Sequence, residues 1–524
     1  MKTKLTLAIC IILLNAASAQ STFQKTIGSS GIDYAYDVHR ALTNGGYYFG
    51  ALTSGLPGPK ITCWVVRTND NGDTLWTHSY GDTCNQYIND ICPTADGGCV
   101  AVGGASICAP VSGVGSIARL DASGNLLWTK TCTASEDPYP VIQSSDGNFI
   151  VGGYVTGIGA GSDDGCIMKL DAATGDTIWS KTYGGTGDDW FYRILQTNDG
   201  GYIAAGFTTS FGQLGTTSCG PSSLPGKDIY LVKTDGNGNV IWSKAYGTSG
   251  CEYAFGHCLE HTTDGGYILT GQTDAAQGMF LMKIDSAGNI GWSRYYDGQW
   301  AHGVKQTADR GYIMAGTANG NVQLVKTDSA GNVSWSKQYG GTGAEQGLLL
   351  ELANDGGYIT GGYTISYGSG NKDLYIVKTD ALGNSGCNES NPGVTSSAAP
   401  FIAANTATQV FTGTNTISYS PKINYRGGNV IPLCTTVGIN EINTNNEITA
   451  YPNPFSTSTT IQLNKNIKNG SIIIYNIFGQ AVKTLLFAGS SIQMERTDLS
   501  AGIYFIRVTE SNKLIASQKI IVAD

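Results

Sequence analysis

At one recurring position of this chain an acid or amide directly precedes an aromatic ring: Asp33-Tyr34, Gln86-Tyr87, Asp189-Trp190, Glu252-Tyr253 and Gln299-Trp300. Glu345 stands at a further equivalent position but is followed by Gln346, and Asp137-Pro138-Tyr139 is a stretched variant. Carboxylates and amides beside flat apolar faces suit sugars, whose hydroxyls take hydrogen bonds while their C–H faces stack on rings. These residues form the candidate ligand-binding set. The same recurrence has a plainer reading, in which each acid caps strand amides and each ring packs between repeats. Two carboxylates at productive spacing also hydrolyse glycosides, so acids such as Asp189 and Glu252 keep an enzyme in view as the alternative.

Other chemistry is sparse. No HExxH, GxSxG or GxxxxGK[ST] pattern occurs, so no catalytic residue is assigned. Of the histidines, His39, His78, His257, His261 and His302, only the pair in His257-Cys258-Leu259-Glu260-His261 is close in sequence. Regular strand alternation would place Leu259 between those two imidazoles, so no metal and no cofactor is expected. Two sets of basic residues recur once per repeat: Arg67, Arg119, Lys169, Lys233, Lys283, Lys326 and Lys378, and Lys25, Lys130, Lys181, Lys244, Arg294 and Lys337. Spread evenly, they read as side-chain stems packed over tryptophans. A net charge of -9 likewise argues against nucleic acid as a partner. The spacing of the cysteines suggests disulfides, with Cys84–Cys92 and Cys251–Cys258 as local staples and Cys387–Cys434 as a longer tie.

The elements that must carry these residues repeat with a period near ~50, the range of propellers and solenoids. A Gly-Gly-aromatic signature recurs before or at Tyr47, Cys99, Phe149, Tyr202, Tyr267, Tyr312 and Tyr358. In the fourth unit, apolar runs begin at Phe191, Gly201, Asp228 and Val240 with turn residues between them, which makes four antiparallel strands. The most regular hairpin reads Lys233-Thr234-Asp235-Gly236-Asn237-Gly238-Asn239 and leads into Trp242; its counterparts carry Trp76, Trp128, Trp179, Trp292 and Trp335. Units of four strands, buried on both faces, predict an all-β, seven-bladed β-propeller of four-stranded blades over 20–387. The last unit lacks its tryptophan strand, and Phe23-Gln24-Lys25-Thr26-Ile27-Gly28 supplies a match, closing the ring.

Residues 1–19 have the pattern of a signal peptide: Lys2 and Lys4, an apolar run from Leu5 to Leu14, then Ala17-Ser18-Ala19. Residues 388–447, rich in Thr, Asn and Ser, read as a linker with a possible added hairpin, and 448–524 as a small C-terminal β-sandwich.

Three motifs in that tail carry a family resemblance: Tyr451-Pro452-Asn453-Pro454-Phe455, Ile472-Ile473-Ile474-Tyr475-Asn476-Ile477-Phe478-Gly479-Gln480, and Leu499-Ser500-Ala501-Gly502-Ile503-Tyr504. They resemble the C-terminal sorting domain of type IX secretion cargo in Bacteroidota. The resemblance implies the type IX machinery as a partner, export across both membranes, and an extracellular or outer-membrane surface location. In the ring, Asp171-Ala172-Ala173-Thr174-Gly175 with Trp179 resembles the hairpins of quinoprotein-like propellers, and Asp70-Asn71-Gly72-Asp73-Thr74-Leu75-Trp76 a loosened Asp-box. The expectation is an exported, monomeric propeller acting as a noncatalytic binding or adhesion module for glycan or protein. The alternative is an exported polysaccharide-active enzyme, with a quinoprotein behind it.

Overall fold

The computed structural model describes residues 21–523, apart from 57–60, 82–84, 107–113, 133–136, 213–225, 275–277, 413–415, 419–421, 426–427, 436–447, 477–480, 498 and 511–512. The signal-peptide pattern and Cys84 lie outside the described residues. Every regular element described is a strand, and no described helix is long and apolar enough to cross a membrane. The chain divides into two compact units, Met1–Thr436 and Val437–Asp524.

Among its described residues, the first unit holds seven antiparallel sheets whose innermost strands neighbour one another in a closed order, the strand Asp33–Arg40 of the first blade meeting Glu345–Leu352 of the seventh. The middle strands are buried along their whole length, as in Tyr202–Thr208 and Asp228–Thr234, because each blade is covered on both faces. The apolar core therefore lies between blades: Ile150 and Ile167 of the third pack with Ile194, Ala204 and Val232 of the fourth.

The repeated hairpin fastens each blade to the next. Asp235 accepts the amides of Asn237 and Asn239 and the Asn239 side-chain NH2, which fixes the turn. Tryptophan then reaches forward: Trp76 Nε1 donates to the Ala122 carbonyl (3.0 Å) and Trp128 Nε1 to that of Ala172 (3.1 Å). Gly288 receives the Trp242 ring at φ +77°, where a Cβ would lie 2.7 Å from the Tyr246 hydroxyl and 3.0 Å from that ring. The recurrent basic residues are fasteners with paired heads. Lys233 meets Asp199 (2.7 Å) and Lys326 meets Asp309 (2.7 Å) within a blade, while Lys25–Asp73 and Lys130–Asp176 (each 2.6 Å) cross to the next.

The seventh blade joins three distant segments. Phe23–Gly28 lies between Asp373–Thr379 and Asn429–Thr435, hydrogen-bonded to both, and all six of its residues are buried. The expected linker is a belt instead. Its short strands pair in turn with the outer edges of the sixth, fifth, fourth, third, second and first blades, and finally the seventh, so that every sheet gains a fifth strand and the propeller unit ends near Thr435 rather than at Cys387. Apart from Phe401, which packs on Phe280 (4.9 Å between centroids), the described belt side chains bury little.

The two local cysteine staples do not form: Cys92 and Cys258 carry free thiols. The Cys258 carbonyl accepts the Thr270 amide and the Cys251 carbonyl that of Asp274. Four residues of extended strand span ~13 Å, beyond the ~7 Å Cα limit for a disulfide. Cys251 and Cys387 are each in a disulfide, and Cys387 Sγ lies 3.8 Å from the Leu433 carbonyl, next to Cys434.

In the second unit the strands Ile448–Tyr451, Ser458–Tyr475, Ala481–Glu495, Gly502–Glu510 and Lys513–Val522 form one sheet. The 18-residue strand bends at irregularities between Gln462 and Gly470, and the sheet closes over Phe455, Ile461, Ile472, Ile506 and Ile520.

Candidate functional site

The acid-and-aromatic pairs stand at or next to the start of inner strands, and the two members of most pairs part company. The acids turn inward: Asp33, Asp189, Glu252 and Glu345 are at most 2% exposed. Asp189 accepts the Gly185 amide (2.8 Å) and the Ser210 hydroxyl (2.7 Å); Glu252 accepts the Thr248 amide (3.2 Å) and the Thr273 hydroxyl (3.1 Å). Asp33 holds Ser29 and Glu345 holds Gly341 in the same way. Their own amides bond the preceding blade, Glu252 N to Lys227 O and Asp33 N to Lys372 O, both at 2.7 Å. Gln86 is buried at the matching place, and Gln299 alone of the set is exposed. The acids thus cap inter-blade loops and do not line the channel mouth.

This buried seat has a titration consequence. Burial, more than the hydrogen bonds of Thr208, Gly185 and Ser210 that oppose it, pushes Asp189 up to about 6, with the Asp164 charge adding to the rise. A carboxyl raised in the folded state contributes stability when protonated, which is lost as pH rises from the ordinary range near 4 through 6. Asp189→Asn, the neutral isostere, is expected to remove that slope and to raise the melting temperature at pH 7, through a gain on the order of 2 kcal/mol. Melting curves of both proteins from pH 4 to 8 check this; parallel profiles would contradict it.

The aromatics stay at the face. Tyr34, Tyr87, Trp190 and Tyr253 are half-buried and Trp300 is 40% exposed. Trp190 stacks flat on Tyr154 (4.0 Å, 6°) with its Nε1 donating to Asp163, and Tyr253 stacks on Phe255. Two lysines join this collar: Lys372 Nζ sits 4.0 Å from the Tyr363 centroid and 5.5 Å from that of Tyr34, and Lys227 Nζ 3.9 Å from Phe207 and 5.5 Å from Tyr253.

Deeper along the axis lies a group that strand alternation does not reveal. The inner strands of blades one, two, three, four, six and seven slip register once, between Ala35 and Asp37 in the first and Ile88 and Asp90 in the second, and in the fifth the strand is interrupted before Leu259. A bulge re-aims the following side chains. Asp37 and Asp90 sit just past it, His39 two residues further, and His257 within the fifth blade's interruption. His39 and His257, from blades one and five, meet across the axis at 5.0 Å. His39 Nε2 lies 3.4 Å from Asp37 and 3.8 Å from Asp90, and its Nδ1 3.7 Å from Glu351; His257 Nε2 contacts Asp37 and stands 3.8 Å from Asp90. Lys305 bridges Glu260 (3.0 Å) and Glu351 (3.6 Å). His261, by contrast, turns away to the Gln196 carbonyl.

The two imidazoles respond oppositely. Burial disfavours charge on His39, but Asp37, Asp90 and Glu351 outweigh it and raise its pKa; burial, with Arg193 and His39 nearby, holds His257 well below the usual imidazole range. Asp90 is pushed up to about 6 by burial and by Asp37. His39 therefore holds a proton more readily than His257, beside the two carboxylates they share.

Residues 449–523 match the family model described as the secretion system C-terminal sorting domain. The tail is a type IX sorting domain. With it, the chain is exported to the cell surface or the extracellular space. Residues 64–214, ahead of the sorting domain, match the family described as outer membrane protein assembly factor BamB, in keeping with the propeller repeats. Among curated proteins, a 77-residue stretch is 34% identical to an endo-acting ulvan lyase of Formosa agariphila, covering 14% of this chain and 15% of that protein. Among solved structures, the extracellular domain of the putative one component system BT4673 from B. thetaiotaomicron aligns with 97% of this chain and 59% of its own at 11% identity and TM-score 0.40. PorZ, an essential bacterial surface component of the type-IX secretion system of Porphyromonas gingivalis, aligns at 10% identity and TM-score 0.30, over 95% of this chain and 75% of its own. The chain thus spans about a seventh of the lyase and under two thirds of the first of these structures.

Proposed function

We propose that the exported propeller is a noncatalytic binding module that takes carbohydrate, acidic polysaccharide above all, on its aromatic collar. The observation that carries this reading is the separation of the buried Asp33, Gln86, Asp189 and Glu252 from the aromatic that follows each. Acids held in loop caps are withheld from proton transfer, whereas Tyr34, Trp190, Tyr253 and Trp300 remain at the face, with lysine ammonium groups beside Tyr34 and Tyr253. Rings stack on the C–H faces of sugars, and Lys227 and Lys372 supply charge for uronate or sulfate groups.

The test is affinity electrophoresis of the full chain in gels carrying neutral, uronic-acid or sulfated polysaccharides, with new chain ends assayed in the same samples. Retardation by an acidic polymer without new ends is the expected result. Migration unchanged in every polymer would remove the proposal, and release of new ends would replace it with the polysaccharide-active enzyme.

A further inference from the structure

We propose that the propeller channel holds one divalent transition-metal ion of the zinc(II) class, bound by His39, His257, Asp37 and Asp90. Among the described residues, these four bring one ligand atom each within 4.8 Å of one another. Bonds of ~2.0–2.2 Å place the ligands of one tetrahedral ion about 3.5 Å from each other, so shifts of about 1 Å, including an opening of the His257–Asp37 contact, close the site. Two imidazoles with two carboxylates are the donor set of such cations, and the hard, oxygen-seeking calcium and magnesium ions are disfavoured by it.

The surroundings are those of ligands rather than of a plain ion pair. Asp37 is 1% exposed, and its Oδ1 is in contact with His257 Nε2. Its other oxygen accepts the Ile91 amide (2.8 Å), and Asp90 Oδ2 accepts that of Val141 (2.7 Å), so backbone of the next blade orients each carboxylate. His39 presents Nε2 to the group while Nδ1 faces the Glu351 carboxylate, the arrangement that fixes the tautomer of a ligating imidazole. Among the described residues, the carboxylates of Asp37, Asp90, Glu260 and Glu351 face two permanent cations, Arg193 and Lys305, and a dication would take the place of a proton on His39 in balancing the rest. His39, 20% exposed in its side chain, gives access from the channel.

The test uses the full chain, stripped with a chelator and titrated with zinc(II), bound metal being counted by mass spectrometry and calorimetry. One zinc per chain is expected, along with a zinc-dependent rise in melting temperature. His257→Gln or Asp90→Asn should weaken zinc binding at least 100-fold, and Glu351→Gln, which leaves the ligands in place, ~10–100-fold; His261→Gln should change nothing. Cobalt(II) in the unaltered protein provides a readout independent of variant folding, since a four-coordinate nitrogen–oxygen site gives visible d–d absorption. No zinc retained, octahedral cobalt alone, or equal stoichiometry in His257→Gln and the parent would each overturn the assignment.

Discussion

A chain lacking residues 21–28 is expected not to fold as a closed ring. Phe23 and Ile27 are buried in the junction of the seventh and first blades, with Trp64, Leu374 and Ile376. Truncating buried apolar residues of this size costs ~2–5 kcal/mol each. The deletion also removes the ladders to both neighbouring strands, leaving the edges of Asp373–Thr379 and Asn429–Thr435 open. Together these losses match the ~5–15 kcal/mol by which domains are stable. Calorimetry and size-exclusion chromatography should find a non-cooperative or self-associating species, and cooperative melting at the parent temperature would contradict closure by this strand.

The second large effect concerns the belt. Ending the chain at residue 387 removes the fifth strand of every sheet, including Asn429–Thr435, which flanks the N-terminal strand. The loss falls chiefly on two places. Phe401 leaves its seat against Phe280 and Tyr295, a contact of the size that costs ~3–5 kcal/mol to empty. The Phe23–Gly28 strand becomes an edge. The truncated ring should still melt cooperatively, but by on the order of 5 °C lower for a domain of this size, and limited proteolysis should cut first near Phe23. An unchanged melting temperature would show that the belt merely lies on the rim.

How far the sequence was legible follows from how each element is stabilised. The hairpins were readable because Asp235, Gly238 and Trp242 do their work within a few residues and recur in kind. The N-terminal strand was readable because Phe23-Gln24-Lys25 repeats the pattern of Trp179-Ser180-Lys181. The belt was not, because strands of two to seven residues that bury little show no apolar period. The acids were found but their direction was hidden, since capping a loop and lining a mouth call for the same residue type. The channel group escaped because the reading of His257 and His261 assumed unbroken alternation, and the inner strand is interrupted there. Only the recurrence of Asp37 and Asp90 at one repeat position hinted at it, and their convergence with histidines from other segments is a property of closure.

The collar is tested most directly by comparing the affinity of the parent with that of Trp190→Ala and Trp300→Ala for the retained acidic polysaccharide, alongside Trp242→Ala, whose ring docks on the neighbouring blade. Loss of one stacked ring of this kind weakens binding by ~10-fold, so each collar variant should bind about that much more weakly, the exposed Trp300→Ala at an unchanged melting temperature and Trp190→Ala, which also loses its stack on Tyr154, at a lower one, while Trp242→Ala should lower the melting temperature and retain affinity. Parent-like affinity in both collar variants would contradict the account.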